Sequence, residues 1–107
     1  MFKDVRILTN PGPTPLHVWF EPWGMSHMLQ PGESFRIVGQ SSKAGHLEIV
    51  QSDGSLAVYA WAASTLQVFN GSELVDDFNI VVPELPQDMS TRSFIEFMFG
   101  GPGERTP

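Results

Sequence analysis

Apolar stretches of five to seven residues recur along this chain, each closed by Gly, Pro, Asn or Asp. That spacing is the signature of an all-β domain. Within residues 16–21, Leu16, Val18 and Phe20 fall on one face and His17, Trp19 and Glu21 on the other, the period-two pattern of a half-buried strand. Trp19 makes the second face amphipathic rather than simply polar. Residues 5–9, 25–29, 35–39, 46–51, 56–61, 65–69 and 72–75 read as further strands, and 78–82 as an edge strand broken by Pro83 and Pro86.

Turn chemistry then predicts neighbours. The prolines of residues 10–15 make a stiff loop that cannot join a hydrogen-bonded ladder. Turns at Pro22-Trp23-Gly24 and Pro31-Gly32 predict a three-strand antiparallel meander over residues 16–39. Asp53-Gly54 and Asn70-Gly71 predict two hairpins, the second suited to a type I′ turn. Seven or eight short strands arranged this way predict an antiparallel β-sandwich or small barrel, because a single sheet would leave one apolar face in water.

The pattern changes after Asp77. Residues 1–87 are predicted to form the sandwich, and residues 88–107 a helix with a frayed tail, packed on the same domain. Ser90 is placed as N-cap, Met89 and Phe94 as a hydrophobic staple, and Gly100-Gly101 as the stop. Phe94, Ile95, Phe97, Met98 and Phe99 cover more than half the helix circumference, wider than an ordinary surface helix needs. They predict a protein contact or self-association through this helix, or a lid over the open end of the sandwich, two readings that do not exclude each other.

Composition narrows the function classes. With 107 residues the chain has room for one core. A 41% hydrophobic and 17% charged composition leaves apolar surface for a partner to cover. Twelve acidic against six scattered basic residues, a net charge of −6, argue against nucleic acid as a partner. The absence of cysteine excludes disulfides, thiolate nucleophiles and Cys-ligated metals. No apolar run reaches the length of a membrane span or signal h-region, so a soluble cytoplasmic protein is expected, with no membrane partner.

Three histidines raise a metal reading. His17 and His27 flank the turn at positions of even sum, which in a regular hairpin places both on one face. His46, with Glu21 or Glu48, would complete a mixed site for Zn, Cu or Ni. No short metal-binding spacing such as His-x-His occurs. Trp19, Trp23 and Trp61, with Tyr59, suggest instead a flat platform for a sugar or peptide, or members of the core. The carboxylates do not converge by spacing, and neither a Gly-x-Ser-x-Gly elbow nor a Gly-rich phosphate loop is present. No catalytic residue and no cofactor are assigned.

The stretch Val18-Trp19-Phe20-Glu21-Pro22-Trp23-Gly24 is similar to a Val-Trp-x-Glu-Pro-Trp-Gly segment of small uncharacterised bacterial β-sandwich proteins, which implies no activity. In strand number and turn rhythm the chain distantly resembles the cupredoxins, which bind copper through two His, a Cys and usually a Met. Lacking the Cys, this chain is excluded from blue-copper electron transfer. The expectation is a non-enzymatic binding module that uses the aromatic helix and the Glu21–Gly24 turn, with metal binding and sugar or peptide binding as alternatives.

Overall fold

The computed structural model describes residues 1–84 and 89–99, with side chains described as far as Glu96. Eight strands run as β1 Phe2–Thr9, β2 Leu16–Glu21, β3 Met25–Leu29, β4 Ser34–Ser41, β5 Glu48–Ser52, β6 Ser55–Tyr59, β7 Ser64–Asn70 and β8 Glu73–Phe78. Helix α1, Thr91–Phe99, follows. The strands form a β-sandwich of two four-stranded sheets, sheet A in the order β1-β4-β7-β8 and sheet B in the order β3-β2-β6-β5.

Two features of this topology depart from expectation. The predicted meander stops after β3, because β4 leaves sheet B and pairs with β1 and β7 instead. The ladder between β2 and β6 is parallel, with Val18 opposite Leu56 and Phe20 opposite Val58, whereas every other ladder is antiparallel. Long-range burial decides both, since Phe35 and Ile37 of β4 and Phe20 of β2 must face one another across the core.

Local turns follow their residues closely. Gly32 has φ 80° and Glu33 N–H donates to Gln30 O at 3.0 Å, as a turn with Gly at its third position requires. The two hairpins close at Ser52 opposite Ser55 and at Asn70 opposite Glu73. In the second, Gly71 has φ 62° and is the only left-handed residue of the turn, the φ signs of type II′ rather than I′. Phe78 ends β8 and residues 79–82 form no strand; Val82 is tied back by its backbone, exchanging two bonds with Ala63 and Ser64. The predicted break at Pro86 and helix start at Asp88 lie outside the described residues.

The core lies between the sheets. Val18, Phe20, Leu29, Ile37, Val58, Leu66 and Val68 are fully buried there. Each such side chain contributes about 1.5–3 kcal/mol by leaving water. Each pair of sheet edges is also joined by side chains. At one side Asp4 Oδ2 accepts the Leu47 N–H at 2.8 Å and Arg6 donates to Leu47 O at 3.1 Å. β1 side chains therefore satisfy both backbone groups of a buried residue just before β5. At the other side His27 of β3 and Asp76 of β8 meet at 2.7 Å.

Candidate functional site

Trp19 acquires its meaning from α1. It lies on the outer face of sheet B and is 8% exposed, covered with Ala57 and Tyr59 by Ile95, while Val50 and Phe94 pack around this cluster. The helix starts as expected: Ser90 Oγ accepts the Ser93 N–H at 3.0 Å and Ser90 O accepts the Phe94 N–H. Thr91 and Ile95, one turn apart, are the buried positions of its described face. α1 thus covers the outer face of sheet B rather than an open end of the sandwich. The side chains of Phe97, Met98 and Phe99 lie outside the described residues, as do residues 100–107.

The Glu21–Gly24 turn is built around Trp23. Its ring stacks on Phe78 at 5.1 Å, and its Nε1–H donates to Ile80 O at 3.0 Å. The turn, the extended segment 80–83 and the first turn of α1 enclose an apolar recess of about 290 Å³, lined by Pro22, Trp23, Ile80, Val81, Thr91 and Phe94 among others. Ile80 is 74% and Val81 54% exposed beside it. The two surfaces expected to act separately, the aromatic turn and the helix, therefore meet in one place.

A second recess, of about 300 Å³, opens on the other side of the helix start. Lys43, His46, Glu48, Tyr59, Trp61 and Arg92 contribute to its wall. Arg92 Nη1 donates to Glu48 at 2.9 Å and its Nε to Glu96 at 3.0 Å. These bonds, that to Glu48 foremost, hold its guanidinium even more firmly protonated than usual. Lys43 pairs with Glu84. Thr91 lines both recesses, and its buried Oγ1 has no hydrogen-bond partner among the described residues.

The remaining candidates fall as follows. Trp61 is 9% exposed, with its Nε1–H donating to Lys43 O at 2.9 Å. Trp19 and Trp61 are thus packed side chains that share no open platform, and only Trp23 of the three is half-exposed. His17 and His27 lie on opposite faces of sheet B, which corrects the expectation that they share one. A four-residue loop puts Phe20 opposite Met25, so that His17 faces Met28 and His27 faces Val18. An even loop count reverses the parity that the even sum assumed. His17 stacks on Trp19 at 4.6 Å and bonds Ser26 on the outer face, while His27 points to the sandwich interior edge and Asp76. His46 stands apart from both in the β4–β5 loop. Among the described residues no group of three or more His, Cys, Asp or Glu side chains is placed to hold a metal ion.

Ile80, Val81, Thr91 and Arg92 were not among the residues singled out by sequence. The strand expectation at Ile80 and Val81 rests on the run of three β-branched residues, Ile80-Val81-Val82, before Pro83. Their exposure is set by Val82, which anchors the segment to the β6–β7 turn. No helix among the described residues is long and apolar enough to cross a membrane. Searches against protein families, curated proteins and solved structures find no match for this chain.

Proposed function

We propose that this protein is a non-enzymatic binding module that receives an apolar segment of a protein partner in the recess between the Glu21–Gly24 turn and α1. One observation carries the reading: Trp23 and Phe94, from elements 71 positions apart, line a single apolar recess with Ile80 and Val81 exposed at its side. Aromatic side chains beside exposed aliphatic ones are the composition of contact surfaces. The Trp23 ring is oriented by its bond to Ile80 O, so the site is formed before a partner arrives.

The chain's three tryptophans supply the test. Short apolar peptides titrated into labelled protein should shift the indole N–H resonance of Trp23 and leave that of Trp19, buried under α1, in place. Ile80→Asp should abolish the response without altering the fold. A response confined to Trp61 would instead support the second reading, a polar ligand in the charged recess beside Lys43 and Arg92. No response from any indole over the peptide set would overturn the proposal.

A further inference from the structure

The four edge strands of the sandwich are not equally guarded. β8 carries Glu73, Asp76 and Asp77 and faces a register shift at Val68/Phe69. β3 and β5 are five residues long, and each is engaged at its side, by the His27–Asp76 pair and by Arg92 on Glu48. Charged side chains, bulges and brevity are the usual devices that keep edges apart. β1 has neither a bulge nor brevity, and its charged side chains, Lys3, Asp4 and Arg6, are of both signs, Asp4 and Arg6 being paired with each other at 3.1 Å and held at Leu47. It is eight residues long, pairs with β4 in unbroken register from Phe2 to Thr9, and contains no proline. Phe2, Val5 and Ile7 are 49%, 49% and 66% exposed. Among the described residues, no backbone bond outside the β1–β4 ladder uses residues 2–9. Every second residue of such an edge presents an unpaired N–H and C=O to its open side.

The charges on β1 also complement themselves. Antiparallel pairing of β1 with a second β1 about Val5 sets Val5 opposite Val5, Lys3 opposite Ile7 and Asp4 opposite Arg6. Both Asp4–Arg6 contacts then join opposite charges on the core side, and the Lys3 stem lies along Ile7 on the outer side. Registers centred on Lys3, Asp4 or Arg6 set like charges directly opposite. One centred on Ile7 shortens the ladder and leaves Asp4 without a basic partner. Odd registers turn the core face of one copy to the outer face of the other.

We infer that β1 is a homodimerisation edge, at which two copies join antiparallel about Val5 so that sheet A continues as one eight-stranded sheet across the twofold axis. This surface is separate from the Trp23 recess, and either can hold without the other.

Sedimentation of the full chain between roughly 10 μM and 1 mM, the range suited to a small strand-pairing interface, should show mass rising from 11.9 kDa toward twice that value. Ile7→Lys, which faces Lys3 of the other copy, should weaken association roughly tenfold or more, whereas Ile7→Glu should preserve it. The absence of native cysteine permits a test of register. Across the twofold, Cα atoms at position 5 would lie ~4.5–5.5 Å apart and those at position 7 ~14 Å apart. Under mild oxidation Val5→Cys should therefore form a disulfide dimer, and Ile7→Cys should not. Both positions are exposed, so an unchanged thermal transition is expected for each variant. A wild-type mass that stays at 11.9 kDa throughout, or equal cross-linking at both positions, would overturn the inference.

Discussion

Gly45 and Trp61 are so closely apposed that no side chain fits between them: a Cβ on Gly45 would stand 2.6 Å from the indole Nε1 and overlap the neighbouring ring carbons. Against the six-membered ring of the same indole, a Cβ on Gly39 would lie 2.7 Å from Cζ3. The indole thus packs directly on two glycines, one from β4 and one from the β4–β5 loop, with its N–H on Lys43 O. This arrangement makes Trp61 a wedge at one end of the core.

Gly45→Ala should therefore push the indole or the loop out of place and destabilise the fold by about 1–3 kcal/mol, the usual range for overpacking. Urea unfolding followed by tryptophan fluorescence checks it. An unchanged midpoint would mean that the exposed loop yields at no cost.

Ala63 offers a change in the opposite direction. It sits at the third position of the Trp61–Ser64 turn with φ 64°, a conformation that costs a residue with a Cβ roughly 1 kcal/mol and costs Gly almost nothing. Ala63→Gly should gain up to about 1 kcal/mol, less what Gly loses through the greater freedom of its unfolded chain. A raised denaturation midpoint at constant slope is the expected reading.

The clasp at Leu47 predicts an asymmetry between two substitutions at one position. Asp4→Ala strips the acceptor from the Leu47 N–H, on a residue only 1% exposed, and should cost about 1–3 kcal/mol. Asp4→Asn retains an oxygen acceptor and should cost less. Equal losses in equilibrium unfolding would show that charge, rather than the hydrogen bond, is what matters there.

For the His27–Asp76 pair, both side chains are nearly a third exposed. A double-mutant cycle with His27→Ala and Asp76→Ala should give a coupling of roughly 0.5–1 kcal/mol. A coupling near zero would leave closure of that edge to the surrounding apolar residues.

Ile95 is the buried anchor of α1. Ile95→Ala should lower protection of the helix amides against hydrogen exchange by roughly tenfold or more while sparing sheet A, because the helix can open without the sandwich. Trp19 emission should shift to the red as the cluster is uncovered. Uniform loss of protection through both sheets would instead tie the helix to the global fold.

What could be read from sequence was governed by range. Asp53-Gly54, Asn70-Gly71 and Ser90 act on residues within four positions of themselves, and each appears in the fold as a turn or cap, although the second hairpin turns about Gly71-Ser72, one residue later than expected and with type II′ signs. The amphipathic outer face of β2 was visible at Trp19, but its cover comes from Ile95, 76 positions later, and no periodicity links the two. The transfer of β4 to sheet A and the parallel match of β2 with β6 depend on which apolar faces meet across the core, and strand patterns alone are indifferent to that choice. The relation of His17 to His27 turned on a single loop residue, since each added residue reverses the face. The recess at Trp23 and Phe94 was foreseen as two separate surfaces because their meeting depends on tertiary packing.

The position of β6 between β2 and β5 also shapes how the chain emerges during synthesis. The β2–β3 hairpin has no strand on its inner flank until Tyr59 has been added, 38 positions beyond Glu21. At ~5–20 residues per second that is a delay of roughly 2–8 s, during which Val18 and Phe20 lack their sheet. The first half of the chain therefore holds its apolar strands without their sheet partner, and it becomes a sandwich only when its second half is made.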